Sequence, residues 1–146
     1  MSYARPYYET ESDLATEQDM MRSLCEGKGY SWRKLPLTYK ADFVVHQNNQ
    51  IISFVECRKR SNASNKYPTL IVSLQKVVTI RELAKACNVP AYILAGFTDG
   101  LFLLDMAQEF KTSIGGHQNR GDWQDIEIVA HFDLQNAKRF AAIPPQ

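Results

Sequence analysis

Apolar residues recur along the chain with two periods, and the changes between them mark the elements. Leu14, Met21, Leu24 and Cys25 lie at helical spacing. Ser12 can cap the N-terminus of that helix, and Gly27 and Gly29 stop it after 25 or 26, so a helix over 12–26 is predicted. Glu17 stands three residues after Leu14 and four before Met21, on the same stripe, so its carboxylate should face the body of the protein. The period then shortens. Residues 30–35, ended by Pro36, then 41–46 and 51–58 read as strands, the last two joined into a hairpin by the polar turn 47–50. Alternation places Asp42, Val44 and His46 on one face of their strand, and Ile52, Phe54, Glu56 and Arg58 on one face of the next.

A polar loop follows over 61–67, then a short apolar strand over 69–72. Ser73 precedes a helix predicted over 74–87, with Leu74, Val77, Val78, Ala84 and Cys87 at helical spacing. Residues 91–97 and 101–105 form a second hairpin, turned at 98–100. The polar, glycine-bearing stretch 111–124 reads as a loop, 126–132 as a last strand and 136–140 as a short helix. Helices alternating with strands predict an α/β fold, a mixed central sheet flanked by helices. The 146 residues suit one domain: an N-terminal arm over 1–11, a core over 12–105 and a C-terminal loop, strand and short helix over 106–146.

With 45% apolar and 11% aromatic residues, the chain can fill a core, which argues against disorder. No apolar run reaches the length of a membrane span and no signal segment is visible, so a soluble, cytoplasmic protein without a membrane partner is expected. Cys25, Cys57 and Cys87 are too scattered for a metal knuckle or a disulfide framework, and are expected as buried thiols in a reducing compartment. The net charge is only +1, but its distribution is uneven. Between Gly27 and Arg81 ten lysines and arginines face two acids, Asp42 and Glu56. A basic middle holding two isolated acids suggests a phosphate-binding face with a metal at its centre.

Those acids sit among apolar residues on adjacent predicted strands, and nothing local explains a carboxylate between Val55 and Cys57. Buried charge is expensive unless paired or bound to a metal. Hard divalent ions take carboxylate oxygens, and such an ion can polarise a phosphodiester and activate water. His46, His117 and His131 lack the mutual spacing of a metal site, and His46 is expected in solvent or hydrogen-bonding duty at its turn.

At this point the sequence resembles the PD-(D/E)XK, or restriction-endonuclease-like, superfamily, especially its resolvase-like branch. Asp42 matches the acid of the first half-motif, and Glu56-Cys57-Arg58 matches the second. Glu17 matches the first-helix glutamate that many members carry, and Gln75-Lys76 the polar first turn of the helix after the motif. The resemblance covers about 12–105 and implies an αβββαβ core and a Mg²⁺- or Mn²⁺-dependent endonuclease acting on duplex or branched DNA, often as a homodimer. It implies Asp42, Glu56 and Glu17 as metal ligands, with Arg58 and Lys76 as catalytic cations. Lys40, Lys59, Arg60, Lys66, Gln75 and Lys76 are candidates for contacts to nucleic acid, and the small size suits a phage or mobile-element product. Two positions depart from the pattern: Ala41 replaces the motif proline, and Arg58 the motif lysine. Arginine keeps the charge but cannot act as a base. Lys76 is the candidate for a displaced lysine, while the alternative is a nucleic-acid-binding module that kept the fold and lost catalysis.

Overall fold

A computed structural model describes residues 11–116 and 126–141. Most of the expected arm, and positions 117–124 of the expected loop with His117, lie outside the described residues. The elements are α1 (Glu11–Cys25), β1 (Ser31–Lys34), β2 (Phe43–Gln47), β3 (Gln50–Lys59), β4 (Thr69–Ser73), α2 (Leu74–Cys87), β5 (Ala91–Phe97), β6 (Gly100–Asp105), β7 (Lys111–Gly116), β8 (Ile126–Asp133) and β9 (Lys138–Ala141).

Six strands form a central sheet in the order β1-β2-β3-β5-β6-β9, mixed because β3 and β5 run parallel while the other neighbours are antiparallel. Parallel strands need a crossover, and α2 lies within the one from β3 to β5. The helices take opposite faces of the sheet. Met20, Met21 and Cys25 of α1 pack on Phe43, Val45, Val55, Cys57 and Leu94. Val77, Ile80 and Ala84 of α2 share the other core with Phe54, Ile93, Ala95 and Leu104. A second antiparallel sheet, β4-β8-β7, closes that core from outside with Leu70, Val72, Ala130 and Phe132. The result is the expected mixed α/β fold, with β4 inserted before α2.

The structure corrects the sequence reading in four places. Residues 111–116 are β7, not loop: the stretch lacks apolar alternation, yet it pairs along β8, and at Gly115 a Cβ would stand 2.9 Å from the Val129 side chain. The short helix expected at 136–140 is instead a 3-10 turn, Leu134–Asn136, followed by β9. The region beyond 105 therefore contributes strands to both sheets. Ile52 does not share the face of Phe54, because the β2–β3 pairing passes from Val45↔Ser53 to His46↔Ile51 and leaves Ile52 bulged towards the α1 core. Asn48 and Asn49, both at positive φ, make the tight turn of that hairpin. Finally, Cys25 and Cys57 are buried but Cys87 is exposed at the end of α2.

Candidate active site

Asp42 stands one residue before β2. Since Phe43 pairs with Val55, antiparallel register brings Asp42 level with Glu56. The Asp42 backbone carbonyl accepts the Leu35 N–H at 2.9 Å, tying the segment to the end of β1. The residue is only 8% exposed, and its side chain is held from two sides. Oδ2 accepts the Cys57 backbone N–H at 2.8 Å, and Lys34 Nζ lies 3.5 Å from Oδ1. Lys34 was not singled out from the sequence. Its place on a strand that pairs with β2 next to the acid was the available signal.

Glu56 lies in the middle of β3, on the α2 side of the sheet, and is 0% exposed. Arg58 Nη1 approaches its Oε2 at 2.5 Å, and Lys76 Nζ, from the first turn of α2, reaches the same oxygen at 2.8 Å. A cation in a first helical turn opposes the helix dipole. Glu56 is the anion that accounts for it. Oε1 is also buried and accepts no hydrogen bond among the described residues. Burial raises the Glu56 carboxyl to about 7; Arg58 pulls it back, Asp42 pushes it up further and Lys76 pulls it down.

This arrangement carries a stability consequence. Ionised Glu56 burdens the fold wherever the unfolded chain would hold it ionised too, since its folded pKa lies above the ordinary value of 4.5. Stability is therefore lost as pH rises from about 4.5 through about 7. Glu56→Gln should raise Tm at pH 8, on the order of 3 °C for each kcal/mol relieved, and the gain should vanish near pH 4. Arg58 and Lys76 remain partly open to water, so losing their partner offsets little. Thermal unfolding at the two pH values measures this, and a lower Tm for the variant at pH 8 would show the carboxylate to be a net stabiliser.

Glu17 is half-buried on α1, and its charge acts with those of Asp42 and Glu56 on the Cys57 thiol, whose pKa burial and these carboxylates push well up. Among the described residues no three His, Cys, Asp or Glu side chains are gathered into one ligand cluster. Neighbouring Gln18 accepts the Trp32 indole N–H at 2.8 Å, fixing α1 against β1.

The cations expected to meet nucleic acid divide by position. Arg58 and Lys76 stand at the acids. Arg60 is half-buried further along β3's direction, where Nη2 donates to the Ile71 carbonyl at 3.1 Å. Lys59 and Gln75 are exposed; Lys66 is exposed with Nζ 5.4 Å over the Tyr67 ring. Lys40, also exposed, takes a left-handed φ of 65° in the turn before Asp42. His46 is half-buried beside the β2 bulge, and His131 is fixed by Thr69 Oγ1 at 3.2 Å and Ser113 Oγ at 2.6 Å. Neither reaches the acids. No described helix is long and apolar enough to cross a membrane.

Comparison with known proteins agrees with this geometry. The fold resembles that of Hjc, a Holliday junction resolvase of Archaeoglobus fulgidus, with a TM-score of 0.60 at 11% identity, covering 87% of this chain and 90% of that one. No curated protein matches the chain. A family model described as "Phage putative PDDEXK endonuclease" matches residues 3–140. An acid pair at the start of β2 and within β3, the resolvase-like fold and a match along nearly the whole chain lead to one assignment: the chain belongs to this PD-(D/E)XK endonuclease family.

Proposed function

We propose that the chain is a divalent-metal-dependent endonuclease that hydrolyses phosphodiester bonds of DNA, with Mg²⁺ or Mn²⁺ as its ion. The observation that carries this reading is Glu56: fully buried, level with Asp42, its Oε1 without a hydrogen bond among the described residues. A buried carboxylate retained at such a burden, beside a second one, is a donor set of the kind hard divalent ions take. Asp42 and Glu56 would hold the ion, with Glu17 contributing from α1. The ion, when bound, supplies charge to polarise the phosphate and to activate water.

The chain's own residues do the rest. Cys57 N–H orients Asp42, so that carboxylate does not have to be ordered on binding. Arg58 and Lys76, both on Glu56 Oε2, stand where a phosphoryl oxygen gathering charge can be stabilised. Arg58 can only donate; Lys76 alone of the two can give or accept a proton. Lys40, Lys59, Arg60, Lys66 and Gln75 would position the backbone by contacts that carry no sequence information.

The Holliday junction resolvase fold favours branched DNA over plain duplex as substrate, and cutting two strands favours a homodimer. A phage protein fits the family's description. Lysine from α2 at the motif carboxylate favours a working site over a decayed one. The test is incubation with branched, duplex and single-stranded DNA, with Mg²⁺ or Mn²⁺ and with chelator. Metal-dependent internal cuts, most in branched DNA, are expected. DNA binding without cleavage under either ion would instead identify a binding module, and binding should weaken steeply with salt.

A further inference from the structure

We propose that the cavity beside Arg60 receives a single unstacked nucleotide of the strand being cut. This rests on the nuclease reading of the site and names what lies next to it. Glu56, Arg58 and Arg60 follow at alternate positions, so Arg60 lies about 13 Å of strand from the acid. Arg58 is close enough to depress the Arg60 guanidinium, after burial itself. The row of side chains thus leads from the metal-binding pair to the cavity.

The cavity measures about 280 Å³, and Arg60, Asn62, Tyr67, Ile71, Phe97 and His131 are among its lining residues. That size is below the usual range for drug-like ligands and suits one base. Its walls are mainly apolar, with a few polar groups, as a base requires. Tyr67 and Ile71 are 56% and 46% exposed, large apolar side chains left in water at its rim. The Lys66 ammonium, 5.4 Å over the Tyr67 ring, adds positive charge beside that rim.

The cavity is also preformed. Asp99 accepts the Ser64 N–H at 2.8 Å and the Ser64 hydroxyl at 2.6 Å, and the Thr98 N–H donates to the Asn62 carbonyl at 3.1 Å. These bonds pin the loop between β3 and β4 to the β5–β6 turn. Arg60 is anchored to the Lys59 and Ile71 carbonyls, and both ring nitrogens of His131 are engaged. Little ordering is left for the ligand to drive. Taking a base out of a duplex costs least where it is already unpaired, so this cavity would itself favour branched DNA.

The experiment is photocrosslinking of the full chain, without metal, to branched DNA carrying 5-iodouracil at successive positions around the cut, which is mapped with metal beforehand. The expected result is one reactive position near the cut, joined to Tyr67. Tyr67→Ala should weaken binding of branched DNA roughly tenfold and Tyr67→Phe should not, since stacking needs the ring and not the hydroxyl. Crosslinks only elsewhere, or equal binding by Tyr67→Ala, in a protein that still cuts DNA would overturn the cavity's role and leave the nuclease reading standing. Failure to bind or cut any DNA would overturn both.

Discussion

Glu56→Gln removes metal-dependent DNA cleavage almost completely, by on the order of 10³-fold in rate, and Asp42→Asn does the same. Each change keeps the size and shape of its side chain and removes the negative charge an ion needs. Glu56→Gln should fold at least as well as the parent, because the carboxylate it replaces is buried at a disadvantage and raised to about 7. Loss of activity with unchanged or higher Tm separates a functional carboxylate from a structural one. The pair should also behave as a unit: the double variant should be no slower than either single one, since one absent ligand already disables the site. Steady cutting by Glu56→Gln under Mg²⁺ would remove Glu56 from the chemistry.

The second large effect concerns the cations. Arg58→Lys should retain or raise cleavage, and Arg58→Ala should nearly abolish it, by about 10²-fold or more. Both long cations can reach Glu56 Oε2 and stabilise a charged phosphoryl oxygen; alanine cannot. Lys76→Ala should fall comparably, because Lys76 meets the same oxygen from the opposite element. Lys76→Arg is the informative variant, keeping the charge while losing a group that can exchange a proton. Should it match the parent at every pH, Lys76 acts by charge alone. Equal rates for the parent and Arg58→Ala would assign the whole cationic role to Lys76.

The candidate site was legible in the sequence because its acids violate the local pattern. Val55 and Cys57 flank Glu56 directly, and Phe54 precedes it on the same face, so the carboxylate announced a purpose other than packing. The bounds of α2 and β5 were equally clear, since apolar spacing there matches the observed 74–87 and 91–97. What escaped was decided by tertiary pairing. β7 has little alternation of its own and exists because β8 offers a partner; β9 docks on the edge of β6. The bulge that turns Ile52 over adds one residue to one strand, a shift no periodicity reports. Lys34 escaped for the same reason, as it meets Asp42 only after β1 has paired with β2.

The central claim is that the Asp42 and Glu56 carboxylates together hold a divalent ion. Titration of the protein with Mn²⁺, followed by electron paramagnetic resonance of the free ion, tests it without reference to any substrate. The account predicts saturable Mn²⁺ uptake by the parent chain, tighter above pH 7 where Glu56 is ionised, and its loss in Asp42→Asn and in Glu56→Gln. Uptake of Mn²⁺ with unchanged stoichiometry and affinity by the double variant would contradict it.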